Sequence, residues 1–340
     1  MRKFMSLMVA VLAVLAIASC SKESFKNADE AVGTLSVKIP EAIATKAYGD
    51  GKFADKQLII GVFDENGVEK FRHNYVWGTG KFESADNEIK IRFVMGKKYQ
   101  LVLWAQYGEA YGNPVDMKLD KIKLDYKASN QENLDAFYAH VPTFTVKEDF
   151  EKSITLTRPF AQLNFATTLG DMDESIADAD MSGLVAESVV TIKNIANTLD
   201  LFTGKTSFVK ADGTVAADDE PQEVVIPATA FPTKDANGNY PTLTIKNADG
   251  QDEIYEVISM NYILVNDSNA AKEGENAGKT TVDIKFEVGE LVINIPGAHM
   301  KRNWKTNVVG ELLTAEGSFK VSILPDFTDS YTENWNQSIK

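Results

Sequence analysis

Apolar residues recurring at every second position constrain this chain more than any other feature. Ile89, Ile91, Phe93 and Met95 alternate with Lys90 and Arg92. Val282, Ile284, Phe286 and Val288 alternate with Asp283, Lys285 and Glu287, and Phe319, Val321 and Ile323 with Lys320 and Ser322. Side chains of a strand point alternately to its two faces, so this pattern puts one face on a core and the other in water. Antiparallel sheets tolerate that arrangement, whereas buried parallel sheets do not. Other runs are apolar on both faces: Leu58 to Phe63, Tyr99 to Ala105 and Tyr262 to Val265. These suit central strands of a sandwich.

Turn signals punctuate the strands at Asp64-Glu65-Asn66-Gly67, Asn113-Pro114, Ala236-Asn237-Gly238-Asn239 and Asn247-Ala248-Asp249-Gly250. Helix is scarce: Asn133 to His140 suits two turns and Met172 to Met181 a short segment. The fold class expected is therefore all-β, built of one or two β-sandwiches. Arg158-Pro159 interrupts the strand pattern before Phe160 to Phe165 starts a new one, and proline at a strand's start costs no ladder bond. The expected organisation is 1–19 signal peptide, 20–30 tether, 31–157 first β-sandwich domain and 158–340 second. Residues 210–221 and 267–279 are polar and small, and read as exposed loops.

The N-terminus predicts export. Arg2 and Lys3 precede an uncharged, mostly apolar run from Met5 to Ala18, and Ile17-Ala18-Ser19-Cys20 closes it. Small residues before a cysteine suit cleavage between Ser19 and Cys20, with the cysteine thiolate taking the lipid. The run is shorter than the ~20 residues a spanning helix needs. Cys20 is the single cysteine, so neither a disulfide nor a thiolate metal site is expected in the mature chain. Loss of Arg2 and Lys3 takes the formal charge from −14 to −16. So acidic a chain argues against nucleic acid and anionic lipid as partners.

Catalytic patterns are missing. His73, His140 and His299 lie far apart in sequence, and no metalloprotease, nucleophile-elbow or P-loop motif occurs. Gly78-Thr79-Gly80 reads as a tight turn. Asp171, Asp173, Glu174, Asp178 and Asp180 cluster, but without the glycine and glutamate spacing of an EF-hand loop. A solvated acidic face is the expected reading, with a calcium site as the alternative. Among the aromatics Trp77, Trp104, Trp304 and Trp335, Trp104 stands in an apolar run and belongs to a core. Tyr107 and Tyr111 sit in a Gly/Asn/Pro-rich stretch where exposure, and a sugar-stacking role, are conceivable. No enzyme activity, cofactor or metal is expected.

Four segments together resemble the fimbrillin-like lipoproteins of Bacteroidia. They are the lipobox Ile17 to Cys20 leading into Gly33-Thr34-Leu35-Ser36-Val37-Lys38-Ile39, the strand Lys98 to Ala105, the segment Arg158 to Phe165, and Lys301 to Thr314 followed by Phe319 to Phe327. The resemblance implies two transthyretin-like β-sandwiches and a structural fimbrial subunit, stalk or anchor. It implies an outer-membrane lipoprotein held through acylated Cys20, joined to other fimbrial subunits, with host or bacterial surface ligands as further partners. In that family a trypsin-like protease removes the N-terminal segment with its first strand, and the vacated groove accepts a strand from a neighbour. Here the displaced strand corresponds to Leu35, Val37 and Ile39. The family's cleavage site follows an arginine, yet the first arginine after Cys20 is Arg72, so Lys46-Ala47 is the substitute. If Lys46 is not cut, the chain keeps its lipid and first strand as an anchor or a stand-alone lipoprotein. Phe319 to Leu324 and the tail Asp326 to Lys340 are candidate donor strands. The alternative function is a surface glycan-binding lipoprotein of a polysaccharide-uptake system, with Tyr107 and Tyr111 at its site.

Overall fold

A computed structural model describes residues 29–38, 56–76, 87–173, 186–217, 220, 222–247, 249–266, 278–313, 318–324 and 337–338. Its first strands are β1 (Glu30–Lys38), β2 (Lys56–Asp64), β3 (Glu69–Val76), β4 (Asn87–Val94) and β5 (Lys98–Tyr107). Next come β6 (Lys121–Lys123), β7 (Phe137–Thr145) and β8 (Phe150–Thr155). The second half begins with β9 (Ala161–Thr168), β10 (Glu187–Lys193), β11 (Ile195–Ala196), β12 (Thr198–Asp200) and β13 (Thr206–Ser207). It continues with β14 (Glu223–Ala230), β15 (Thr242–Lys246), β16 (Asp252–Val265) and β17 (Thr280–Val288). β18 (Leu291–Met300), β19 (Lys305–Gly310), β20 (Ser318–Leu324) and β21 (Gln337–Ser338) complete it.

The fold is an all-β sandwich architecture. In the first half a sheet of order β4-β1-β8 lies opposite one of order β3-β2-β5-β7. Leu35, Val37, Ile89, Ile91 and Phe93 from one sheet meet Leu58, Ile60, Leu101 and Leu103 from the other in a single core. In the second half β14-β10-β17-β18 faces the long sheet β11-β16-β9-β19-β20-β21. Val190, Ile192, Ile284 and Phe286 pack there against Leu163, Phe165 and Val321, and the Phe165 and Phe286 rings stack with centroids 4.1 Å apart. The alternating strands expected from the sequence are these: β4 and β17 bury Ile89, Ile91, Phe93, Val282, Ile284, Phe286 and Val288 and leave Lys90, Arg92 and Asp283 exposed. β20 buries Phe319, Val321 and Ile323 but is covered on its other face too, with Ser322 fully buried and Lys320 half-buried beside Glu253.

A third cluster explains the runs that are apolar on both faces. Ile59, Val102 and Trp104, on the second faces of β2 and β5, pack with Phe160, Met260, Tyr262 and Val309 of the later chain. Such strands serve two cores at once, which removes the polar off-beat. A small sheet of order β13-β12-β6 crosses the same divide, with Leu199 opposite Ile122.

The helix expected at Asn133 to His140 does not form. Glu132–Leu134 makes only a 3-10 turn without a side-chain cap, and from Phe137 onward the chain pairs with β5. Two turns of helix are unstable without packing, whereas a full ladder against a core strand holds the extended form. Of the second expected helix, Met172 to Met181, only Met172 and Asp173 are described, and they are helical.

Candidate functional site

The strand expected to be displaced is β1, and it occupies the middle of its sheet. It runs antiparallel to β4, with Leu35 opposite Ile89 and Val37 opposite Asn87. On its other side it runs parallel to β8, with Leu35 opposite Lys152 and Val37 opposite Ile154. Ala31, Leu35 and Val37 point into the core and are fully or almost fully buried, whereas Val32, Thr34 and Ser36 on the opposite face are half-buried. The ladder is extended at its ends by Met95 N–H donating to Asp29 O and Leu156 N–H donating to Lys38 O, both 2.8 Å. Side chains also tie its N-terminal end: Asp149 Oδ1 accepts from the Val32 N–H at 2.8 Å, and Glu30 lies 3.6 Å from the exposed Arg92 guanidinium. Taken away, β1 leaves a trench with two unpaired backbone edges, floored by Ile89, Ile91, Phe93 and Ile154. Ser19, Cys20, Ile39, Lys46 and Ala47 lie outside the described residues.

Glycine 33 shapes that trench. A Cβ built on it lies 2.4 Å from the tip of the Phe150 ring and 2.7 Å from the Phe93 ring. The two rings are 5.4 Å apart, and Phe93 also packs on Tyr99 at 5.2 Å and Phe144 at 6.0 Å. They close over bare backbone.

The segments Arg158–Phe165 and Lys301–Thr314 are brought together at the junction between the halves. Asp135 and Arg158, 3% and 4% exposed, form a two-point ion pair with nitrogen–oxygen distances of 2.6 and 2.9 Å. Burial would lower the Arg158 pKa, but the Asp135 charge and hydrogen bond override it and raise the value. The guanidinium also lies 4.8 Å from the centre of the Phe137 ring and donates to Asn303 Oδ1 at 3.1 Å. Asn303 adopts a left-handed φ of 60° and donates its N–H to Phe160 O at 2.8 Å. Further along, Asn164 Nδ2 donates to Asn307 Oδ1 at 2.7 Å inside the sheet. A buried arginine demands an acid, but nothing in the sequence marked Asp135 as that acid.

Other expected site residues fare differently. Tyr107 and Tyr111 do not form an exposed platform. The Tyr111 ring lies parallel to Phe160 with centroids 5.9 Å apart and edge-on to Trp104 at 5.2 Å. Its hydroxyl donates to Leu134 O at 2.5 Å, and burial, then Asp135, push its pKa far up. Tyr107 is half-buried, and burial raises its pKa too. Tyrosine in a Gly/Asn/Pro loop signals exposure only when no cluster is there to receive the ring, and here the junction cluster receives it. Trp104 is wholly buried and donates Nε1–H to Gln106 Oε1 at 2.9 Å.

The acidic run also splits. Asp171 is buried and accepts from the Thr167 hydroxyl, so it does not belong to a solvated face. Asp173 is exposed and pairs with Lys234 at 2.7 Å. Glu174, Asp178, Asp180, Trp77, Trp335 and Gly78 to Gly80 lie outside the described residues. Among the described residues no three His, Cys, Asp or Glu side chains converge as a metal site. A hollow of about 500 Å³, lined by Asn113, Lys118, Lys121, Lys123, Lys127 and Asn133 among others, opens beside the Tyr111 loop. Its walls come from irregular chain and the three-residue strand β6, too short for periodicity to carry a signal.

Residues 26–340 match the model of the family of unknown function DUF6562, and the chain belongs to that family. No curated protein matches it. Similar solved structures include the tip fimbrial protein Mfa3 of Porphyromonas gingivalis with a C-terminal truncation. It is 12% identical, with 87% of this chain and 99% of that one covered and a TM-score of 0.44. The fimbrial anchor protein Mfa2 of the same organism is 10% identical over 92% of this chain and 100% of its own, at 0.43. A fimbrial assembly protein from Parabacteroides distasonis is 10% identical over 91% and 98%, at 0.39.

Proposed function

We propose that this chain is a subunit of a cell-surface fimbria, delivered to the outer membrane on acylated Cys20 and joined to neighbouring subunits by strand exchange in the β1 groove. The observation that carries this reading is the place of β1. It is the first described strand, yet it lies between β4 and β8 and covers one side of the core. Among the described strands it is followed in sequence by β2, which pairs in the opposite sheet. A cut in the segment joining the two frees β1 without severing any other ladder. β-Strand addition from a neighbour then restores the lost backbone bonds and reseals the apolar floor. Until that moment β1 protects an edge that would otherwise pair at random.

Cleavage at Lys46-Ala47 is the proposed trigger, because that site falls between β1 and β2. The lipid, the tether and β1 then depart together, and the remaining chain is a stalk subunit. Without the cut, the same protein is an anchor.

Mass spectrometry of the N-terminal peptide from surface-extracted protein, run beside electrophoresis after mild heating, tests the proposal. The expected result is an N-terminus at Ala47 on material forming a ladder of multimers. An acylated Cys20 within the ladder assigns the anchor role. An acylated Cys20 on protein that never forms multimers overturns the fimbrial reading.

A further inference from the structure

We infer that the groove selects its strand by a glycine: the residue between the Phe93 and Phe150 rings must lack a side chain, which fixes both the entering segment and its register. The occupant we infer is segment 315–323 of a second copy of this chain. This inference rests on the strand-exchange reading for its occupant, but the glycine rule itself stands on the geometry of β1.

Gly33 is buried in a regular strand and has no positive φ to explain it. Only space accounts for glycine here. A Cβ would come within 2.7 Å of Phe93, which is 2% exposed and enclosed by Tyr99, Phe144 and Phe150. The Phe150 ring, nearer still, is itself braced against Phe144 at 5.3 Å. Phe150 is half-buried, but the buried Phe93 ring cannot yield without moving its neighbours, and overpacking of this kind is costly in a dense core.

A strand side-chain pattern repeats every two residues, so a slip of two keeps the apolar face inward. Hydrophobic alternation alone therefore leaves such registers open. One backbone-only position removes them: a slip of two in either direction brings Ala31 or Leu35 under the rings.

The segment 315–323 carries the same code. It reads Ala-Glu-Gly-Ser-Phe-Lys-Val-Ser-Ile, against Ala-Val-Gly-Thr-Leu-Ser-Val-Lys-Ile at 31–39, with Ala, Gly, Val and Ile at matching positions. In its own sheet β20 buries Phe319, Val321 and Ile323, the positions that correspond to Leu35, Val37 and Ile39. β20 pairs with β19 at six positions, from Phe319 to Leu324, and among the described residues with its outer neighbour β21 at two, Ser318 and Phe319, so entry into the groove requires β20 to leave its own sheet.

The test uses the full chain with a specific protease site placed at residues 42–47 and then nicked, so that β1 stays bound but is no longer covalently held. Fluorescent peptides 31–39 and 315–323 are added, each as the native sequence and with its glycine replaced, Gly33→Ala or Gly317→Ala. Both glycine peptides are expected to enter, and the alanine forms to be retained on the order of tenfold less. Equal retention of the alanine forms overturns the glycine rule. Entry of 31–39 but not of 315–323 overturns the assigned occupant. If no peptide enters, strand exchange fails, and the intact chain decides the rule. Gly33→Ala should then speed amide exchange in β1 by about tenfold while Thr34→Ala leaves it nearly unchanged. Unchanged protection in Gly33→Ala overturns the rule.

Discussion

β1 and β9 hold the same station in their two sheets. Each opens its half among the described strands, and each lies between one antiparallel and one parallel neighbour: β4 and β8 for β1, β16 and β19 for β9. Their attachment differs. β9 is buried on both faces, with Leu163 and Phe165 in one core and Ala166 in another. Asn164 is bonded to Asn307 beside it, and just before it Arg158 is locked to Asp135. β1 is buried on one face only, and Asp149 and Arg92 meet its N-terminal end. The same pairing geometry thus carries two buried faces in β9 and one in β1. Burial of the second face makes the difference.

The comparison breaks hardest at Arg158. Arg158→Met leaves Asp135 charged and alone in the interior, at an expected cost of about 3–5 kcal/mol in urea unfolding. Adding Asp135→Leu should recover most of it, because a well-packed apolar pair replaces an ion pair at little cost. Equal stability of Arg158→Met and the parent would show that the junction is not held by this pair.

Leucine truncations sharpen the contrast between the strands. Leu163→Ala should cost about 2–5 kcal/mol of global stability. Leu35→Ala removes a side chain as deeply buried, yet its effect should fall mainly on local opening of β1, read as faster amide exchange in β1, β4 and β8. Matching global losses for the two variants would mean that β1 is as integral as β9. A smaller effect is expected from Asn164→Ala, which strands Asn307 Oδ1 in the sheet at about 1–3 kcal/mol.

The smallest effect is one of pH. Burial lowers the pKa of His73 and of His140 below the ordinary 6.5, the latter against an opposing pull from Asp200. The native state therefore binds fewer protons than the unfolded one near and below that value. Stability should be complete above about pH 6.5 and decline as pH falls through the lowered native values. Replacing both histidines with glutamine should flatten that slope in thermal melts across roughly pH 5 to 7.

Much of this was legible before any coordinates. Alternation at 89–95 and 282–288 marks β4 and β17, because a half-buried strand records its two faces in its own residues; at 319–323 it marks a strand, β20, but not that Ser322 on the other face is buried as well. The apolar runs at 58–63 and 99–105 were recognisable as buried strands, but not what lay on their second faces. The parallel partnership of β1 with β8 joins residues more than a hundred positions apart, and no local pattern encodes it. Tyr111 misled for the same reason: its loop looks solvent-bound until Phe160 arrives from the other half. Gly33 is silent in the sequence, since a strand glycine carries no signal of which rings close over it.

One consequence of the shared small sheet concerns load. β6 comes from the first half and β12 from the second, and they meet at three successive positions, flanked by Leu124 N–H to Asn197 O at 2.8 Å and Leu201 N–H to Asp120 O at 2.9 Å. A pull on one half therefore reaches the other through these rungs and the Arg158–Asp135 contact, as well as through the covalent crossing at Pro159. In the fibre proposed above, tension under shear would be divided among several bonds at this junction.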